Sequence, residues 1–347
     1  MIKLKTSVEK LNAYFVNDIP CRIKLDANEG SNYLLKQGLN INNIQANIYP
    51  DSDSKALREK LSEYYNCKSE NILVGNGSSE LINMVINAYC EKGDKVVSFI
   101  PSFSMYQTYC DLCGAEYVGV KCNEDFTQNI NKLIEKSLEV NPKIIVLCNP
   151  NNPTGYVTER KDIIKLLDAI ENSLIAIDEA YADFLGDSVI DLINEYDNVV
   201  VMRTLSKAFG LAGLRVGAMI ANDELIKYIW KVKVPYNLNV LSQMAVLKAL
   251  ENIDLVKEYI NQVNILREEL SNNLKKLKFT VYNSGANFLF VESSVDNLFE
   301  KLMSCGILIR KFNFKEKSYY RITVGTKEEN EILINEIKNL RRYYETE

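Results

Sequence analysis

Lys207 is the residue whose neighbours best equip it for covalent chemistry. It lies in VVVMRTLSKAFGLAGLRVGAMIA, residues 199–221, where a β-branched run gives way to hydroxyl residues, a lysine and two glycines before a second apolar run opens at Val216. Thr204 and Ser206 bring hydroxyls beside the lysine, and Arg215 follows across a loop kept compact by Gly210 and Gly213. Such a set suits a phosphorylated aldehyde. The ε-amine forms a Schiff base, while hydroxyls and a planar guanidinium hold the phosphate dianion. Cationic neighbours would also draw the lysine down from its usual pKa of about 10.4 and make the neutral amine accessible. A solvated loop lysine can carry the same local sequence, so the rest of the chain must decide.

Other chemistry is bounded by what the chain contains. There is no histidine, so proton transfer near neutral pH falls to lysine, tyrosine, a carboxylate or cysteine. The 8 cysteines are too sparse and irregular for a disulfide framework. Cys110 and Cys113 form a C-x-x-C with Cys122 beyond it, but a structural zinc site needs about four ligands, so thiols in the core of a helix are expected and no metal. A net charge of −5 argues against a nucleic-acid partner. No apolar run reaches the roughly eighteen residues of a membrane span, and MIKLK does not lead into a signal-peptide core. A cytoplasmic protein is expected.

The elements that must position Lys207 follow an alternating rhythm. At 347 residues, 47% hydrophobic and 25% charged, the chain can bury a large core with a smaller companion. Strand patterns fall at 95–99, 116–120, 143–148, 174–177, 199–202 and 216–220. Helical patterns fall at 79–90, 104–113, 159–171 and 223–231. Alternation of this kind predicts a mostly parallel sheet covered on both faces, with ligands at the carboxyl ends of its strands. The Asn-rich stretches 38–47 and 126–131 read as loops. Four strand-end loops stand out. VGNGSSE puts two glycines before Ser78 and Ser79 at a helix start, which is a cap or an anion site. PSFSMY sets Phe103 after a proline turn, either core filling or a platform for a flat ring. CNPNNPTG must turn at its prolines, and IDEAYADF carries Asp178 at the end of a buried strand.

TLSKAFGLAGLRVG resembles the lysine segment of the fold-type I pyridoxal-phosphate-dependent aminotransferases, in the branch that contains histidinol-phosphate aminotransferase. The four loops occur in that family's order and spacing. The resemblance implies pyridoxal 5′-phosphate as cofactor, carried by Lys207, with its phosphate held by Arg215, Thr204, Ser206, Ser78 and Ser79. Ser79 stands where an aspartate is common, so the backbone contact is kept without a carboxylate. Phe103 would stack on the ring. Asn152 and Tyr181 would hold its phenolic oxygen, and Asp178 would pair with its ring nitrogen, keeping it protonated as an electron sink. Tyr49, in NIYPDSDSKALREKL, matches a tyrosine that reaches the cofactor phosphate of the neighbouring subunit, which implies a homodimer. Tyr14, Arg310 and Arg321 match residues that meet the acidic groups of the substrate, and an arginine fork suits phosphate or carboxylate. KLDANEGS resembles the family's L-N-x-N-E-N-P segment, but Asp26 replaces the first asparagine and Gly30 and Ser31 replace the final pair.

The fold so implied is α/β: a large doubly wound domain at 31–236, preceded by an arm at 1–30 that joins the smaller domain at 237–347, with a long helix at 255–276 and strands in ANFLFVES, GILIRKF and YYRITVG. The implied reaction is amino transfer from L-histidinol phosphate to 2-oxoglutarate in histidine biosynthesis, giving imidazole-acetol phosphate and L-glutamate. Threonine-phosphate decarboxylase and an aromatic or broad-specificity aminotransferase are the alternatives. A cofactor-sensing regulator would need a basic DNA-binding addition, which this acidic chain does not announce.

Overall fold

The structure is a computed structural model that describes the chain apart from residues 1, 10, 12–18, 35–37, 40–41, 43, 294, 315–316 and 345–347. Its strands run β1 Ile23–Lys24, β2 Ile72–Asn76, β3 Lys95–Ile100, β4 Glu116–Lys121, β5 Ile144–Cys148, β6 Leu174–Asp178, β7 Val199–Thr204, β8 Val216–Ala221, β9 Thr280–Val281, β10 Phe288–Glu292, β11 Ile307–Leu308, β12 Arg310–Phe314 and β13 Lys317–Thr323.

Strands β5 to β8 are apolar at nearly every position because both of their faces are covered. Alternate residues feed two cores. Val97, Ile145, Ile175 and Val201 pack on one side with Leu57, Leu133, Leu166 and Leu270 from four helices. Val96, Ile144, Ala176 and Val200 pack on the other with Leu81, Cys110 and Ile226. The strand order is β2-β8-β7-β6-β5-β3-β4, parallel throughout except for β8, which runs antiparallel to both its neighbours. The doubly wound, mostly parallel sheet expected from the rhythm is therefore present.

Two elements differ from the sequence reading. Residues 130–131, expected in a loop, open the helix Ile130–Val140, because Asn129 caps it by accepting a hydrogen bond from the Asn131 amide at 3.1 Å. The glycine-containing run at 72–76 is not merely the approach to a loop: it is the edge strand β2, paired with β8.

A second, antiparallel sheet has the order β12-β13-β10-β9, and the pair β1-β11 ties the start of the chain to its end. The run GILIRKF divides between these two sheets, β11 meeting β1 and β12 meeting β13. The helix Ile253–Lys276 buries Val256, Val263, Leu266, Leu270 and Leu274 along one stripe beneath them.

Candidate active site

Lys207 follows the carboxyl end of β7, half-buried, and its Nζ donates to the Ala27 carbonyl at 2.9 Å. It stands over the Tyr181 ring at 5.9 Å. Burial lowers its pKa to about 7, and the charges of Arg321, Arg215 and Lys24 push the same way against Glu29. A large fraction of neutral, nucleophilic amine at neutral pH follows. Thr204 and Ser206 are buried beside it, their hydroxyls 3.0 Å apart.

An anion cradle forms where β2 enters the helix Gly77–Tyr89. A Cβ on Gly77 would stand 2.5 Å from Arg215 Nη2, and one on Gly217 would stand 2.5 Å from the Ser78 amide nitrogen. Only glycines let the guanidinium and the strand come this close to the first turn. The unbonded amides of that turn, its positive dipole end, the hydroxyls of Ser78 and Ser79 and the Arg215 fork then share one region. Tyr109 adjoins it: burial raises its pKa, while a hydrogen bond with Ser79 and the charge of Arg215 oppose the rise.

Asp178 closes β6, buried, with its Oδ2 accepting from the Tyr106 hydroxyl at 2.6 Å and its Oδ1 from the Ala180 amide at 3.1 Å. Burial pushes its pKa up and both hydrogen bonds hold it down. Phe103 sets its ring edge-on to Tyr106, centroids 5.5 Å apart. In the turn after β5 the asparagines divide their work. Asn149 ties both its amide atoms to Thr158, and Asn151 bonds Pro101, Ser102 and Thr154, so these two hold the loop's shape. Asn152 accepts from Arg321 Nη1 at 2.6 Å through Oδ1, which leaves its Nδ2 for another acceptor. The Tyr181 oxygen accepts from Asn28 Nδ2 at 3.0 Å, which leaves its own proton to donate. A planar aldehyde bearing a phosphate fits this set: an amine for the aldehyde, a buried carboxylate for a ring nitrogen, two donors for a ring oxygen and a cationic cradle for the phosphate.

The family model for aminotransferase class I and II matches residues 27–337. The chain belongs to that family. It is 42% identical over 346 residues to a histidinol-phosphate aminotransferase of Thermoanaerobacter sp. (strain X514), covering 97% of this chain and 98% of that one. The fold is similar to the crystal structure of a histidinol-phosphate aminotransferase from Sinorhizobium meliloti in complex with pyridoxal-5′-phosphate, with a TM-score of 0.89, 21% identity and 99% of both chains covered. It is also similar to an L-threonine-O-3-phosphate decarboxylase from Porphyromonas gingivalis, with a TM-score of 0.78, 24% identity and 92% and 99% of the two chains covered.

In this aminotransferase the small sheet supplies a cationic wall. Arg321 on β13 is buried, bonds Asn152 and the Asp26 carbonyl, the latter at 2.5 Å, and stacks over Phe288 and Phe312. Arg310 on β12 is its direct cross-strand partner, so both side chains leave the same face, with Arg310 exposed. Tyr49 is 77% exposed and stacked on Tyr236 at 4.5 Å. Tyr14 lies outside the described residues. The described cysteines are free: Cys110 is buried on the helix Met105–Cys113, where burial pushes its pKa up, and the described residues contain no cluster of metal-ligand type.

Sequence reasoning missed several members of the site. Tyr106 stands in PSFSMY without a role of its own, and only its contact with Asp178 gives it one. Asn28 sits in the quoted KLDANEGS segment but showed no chemistry until folded beside Tyr181. Arg203 bonds Glu179 at 2.9 Å and also Asp183, all three side chains nearly sealed from water. A charged residue inside the apolar run VVVMRT, followed in the fold by the acidic pair after β6, was the available signal. This buried set, with Ser188 and the Val189 amide on Glu179, fixes the residue next to Asp178.

Proposed function

We propose that this aminotransferase holds pyridoxal 5′-phosphate on Lys207 and transfers the amino group of L-histidinol phosphate to 2-oxoglutarate. The products are imidazole-acetol phosphate and L-glutamate. The observation that carries the reading is the 42% identity, along nearly the whole chain, to a histidinol-phosphate aminotransferase. When bound, the cofactor supplies an electron sink for the pair released as the Cα proton leaves. The chain does the rest. Lys207 Nζ takes that proton, Asp178 keeps the ring nitrogen protonated, and Asn152 Nδ2 with the Tyr181 hydroxyl holds the ring oxygen. Arg215, Ser78, Ser79, Thr204 and Ser206 hold the cofactor phosphate, and Phe103 covers the ring. Arg321 and Arg310, on one sheet face, accept the phosphate of one substrate and a carboxylate of the other, since both anions fit a guanidinium fork. Tyr14 joins them.

Further parts of the proposal are a cytoplasmic homodimer in which Tyr49 reaches the partner's site, and a division into an arm at 1–30, a large domain at 31–236 and a small domain at 237–347. Among the described residues no helix is long and apolar enough to cross a membrane. The reading is tested by incubating cofactor-loaded enzyme and 2-oxoglutarate with histidinol phosphate, threonine phosphate and phenylalanine separately. Glutamate is expected to form fastest with histidinol phosphate. Release of carbon dioxide from threonine phosphate, or faster glutamate formation with phenylalanine, would replace the named substrate.

A further inference from the structure

A cleft of about 560 Å³ lies where Tyr156 and Val157, just past the asparagine loop, meet the helix Ile253–Lys276 and the turn at 283–285. Its lining contains none of the residues proposed to hold cofactor or substrate. The size is within the usual range for small-molecule sites, about 300–1,000 Å³. Its walls differ in character. Val157, Leu185 and Ile265 make an apolar side, while Asn264, Arg267 and Glu268 stand at i, i+3 and i+4 on one face of the long helix.

Asn264 has its Nδ2 committed to the Phe184 carbonyl at 3.1 Å, which fixes the amide's orientation, and its Oδ1 is buried with no hydrogen-bond partner. Sealed from water, that oxygen is out of reach of an occupant, and Asn264 serves to fix the long helix against Phe184. The Glu268 carboxylate is the acceptor open on this wall, and Arg267 beside it is a cation. A simple anion would face Glu268, and a simple amine would face Arg267. A zwitterion satisfies both.

We infer that this cleft binds a free α-amino acid with an apolar side chain. Its ammonium donates to the Glu268 carboxylate, its carboxylate accepts from Arg267, and its side chain lies on Val157, Leu185 and Ile265. The position ties occupancy to the geometry of the catalytic site. Arg267 Nη1 already donates to the Ala286 carbonyl at 2.9 Å, and the Gly285 amide donates to the Gly155 carbonyl at 2.9 Å. The turn lies flush on the asparagine loop, since a Cβ at Gly285 would stand 2.5 Å from Val157 Cγ2. Soon after the turn, Phe288 packs its ring under Arg321 at 5.6 Å. An occupant braces the small sheet against the loop that carries Asn152.

The test is calorimetric titration of borohydride-reduced holoenzyme, whose Lys207 cannot exchange partners, with L-leucine, leucinamide and 4-methylpentanoate. One site per chain is expected for L-leucine, with at least about tenfold weaker binding of the analogues lacking carboxylate or amine. Glu268→Gln and Arg267→Gln should each weaken leucine about tenfold or more, and Ile265→Trp should fill the cleft and abolish binding while basal turnover persists. No saturable heat up to about 10 mM leucine, or binding unchanged in all three variants, would overturn the inference. The titration reads binding alone, so a different amino donor for the enzyme leaves its outcome unaffected.

Discussion

Tyr106 and Asp178 share a hydrogen bond at 2.6 Å where water is excluded, and that contact sets how the carboxylate titrates. Burial favours the neutral acid, which could not keep a ring nitrogen protonated; the tyrosine's proton favours the anion. In Tyr106→Phe the acid limb of the kcat profile is therefore expected to move to higher pH, with turnover largely recovered at high pH. A rate loss that is uniform across pH would assign Tyr106 to packing alone. Lys207 titrates in the opposite sense, because burial and neighbouring cations disfavour its charged form. Uptake of pyridoxal phosphate by the cofactor-free protein should rise with pH and level off above about 7. Arg321→Gln removes one of those cations, so the midpoint should move to higher pH. Stopped-flow absorbance reads it, and an unmoved midpoint would mean that Arg321's charge does not reach the amine.

Elements position these groups through a few crossing contacts, of which Phe126 is the most concentrated. It comes from the turn after β4, with φ of 62°, and packs against Phe290 and Tyr319 of the small sheet with Tyr282 and Phe314 around it. Truncating a buried phenylalanine costs about 3–5 kcal/mol. Phe126→Ala should raise hydrogen exchange in β10 and β13 and raise KM for both acidic substrates, because Arg321 stands on that sheet, while cofactor affinity stays near its original value. Unchanged exchange in β10 and β13 would show that the plug does not hold the sheet. The same elements explain what could be read in advance. Strands β5 to β8 announced themselves because burial on both faces demands unbroken apolar runs. Strand β2 did not, since Gly75 and Asn76 look like a loop until β8 pairs with them, and β8 is distant in sequence. The helix Ile130–Val140 hid behind an asparagine that turned out to cap it. Residues proposed to touch the cofactor carry local motifs, whereas Tyr106, Asn28 and Arg203 act through partners that only folding brings near.

At the scale of the whole molecule, apolar surface gathers at one place. Ile48 and Tyr49 are 56% and 77% exposed, and Val232, Val234, Tyr236 and Leu241 are each more than a third exposed. Lys233 Nζ bonds the Ser52 carbonyl and Gln243 Nε2 bonds the Asp51 carbonyl, so the two segments form a single surface. Exposed apolar surface of this kind marks an interaction site, and in the proposed homodimer a second copy of the chain joined by a two-fold axis would cover it on both subunits at once. In such a dimer Tyr49 completes the neighbour's phosphate cradle, not its own. Lys207→Ala and Tyr49→Ala homodimers should both be nearly inactive, the first without its amine and the second without the hydroxyl at either phosphate. A mixed dimer contains one intact site, because the Tyr49→Ala subunit keeps Lys207 and receives Tyr49 from its Lys207→Ala partner. With random pairing of equal amounts, half the dimers are mixed and each has one of two sites, so about a quarter of full activity should return. Differently tagged subunits establish that mixing occurred. If mixed dimers form and activity stays at the level of the parents, Tyr49 serves its own chain and the two-fold arrangement of the sites is wrong.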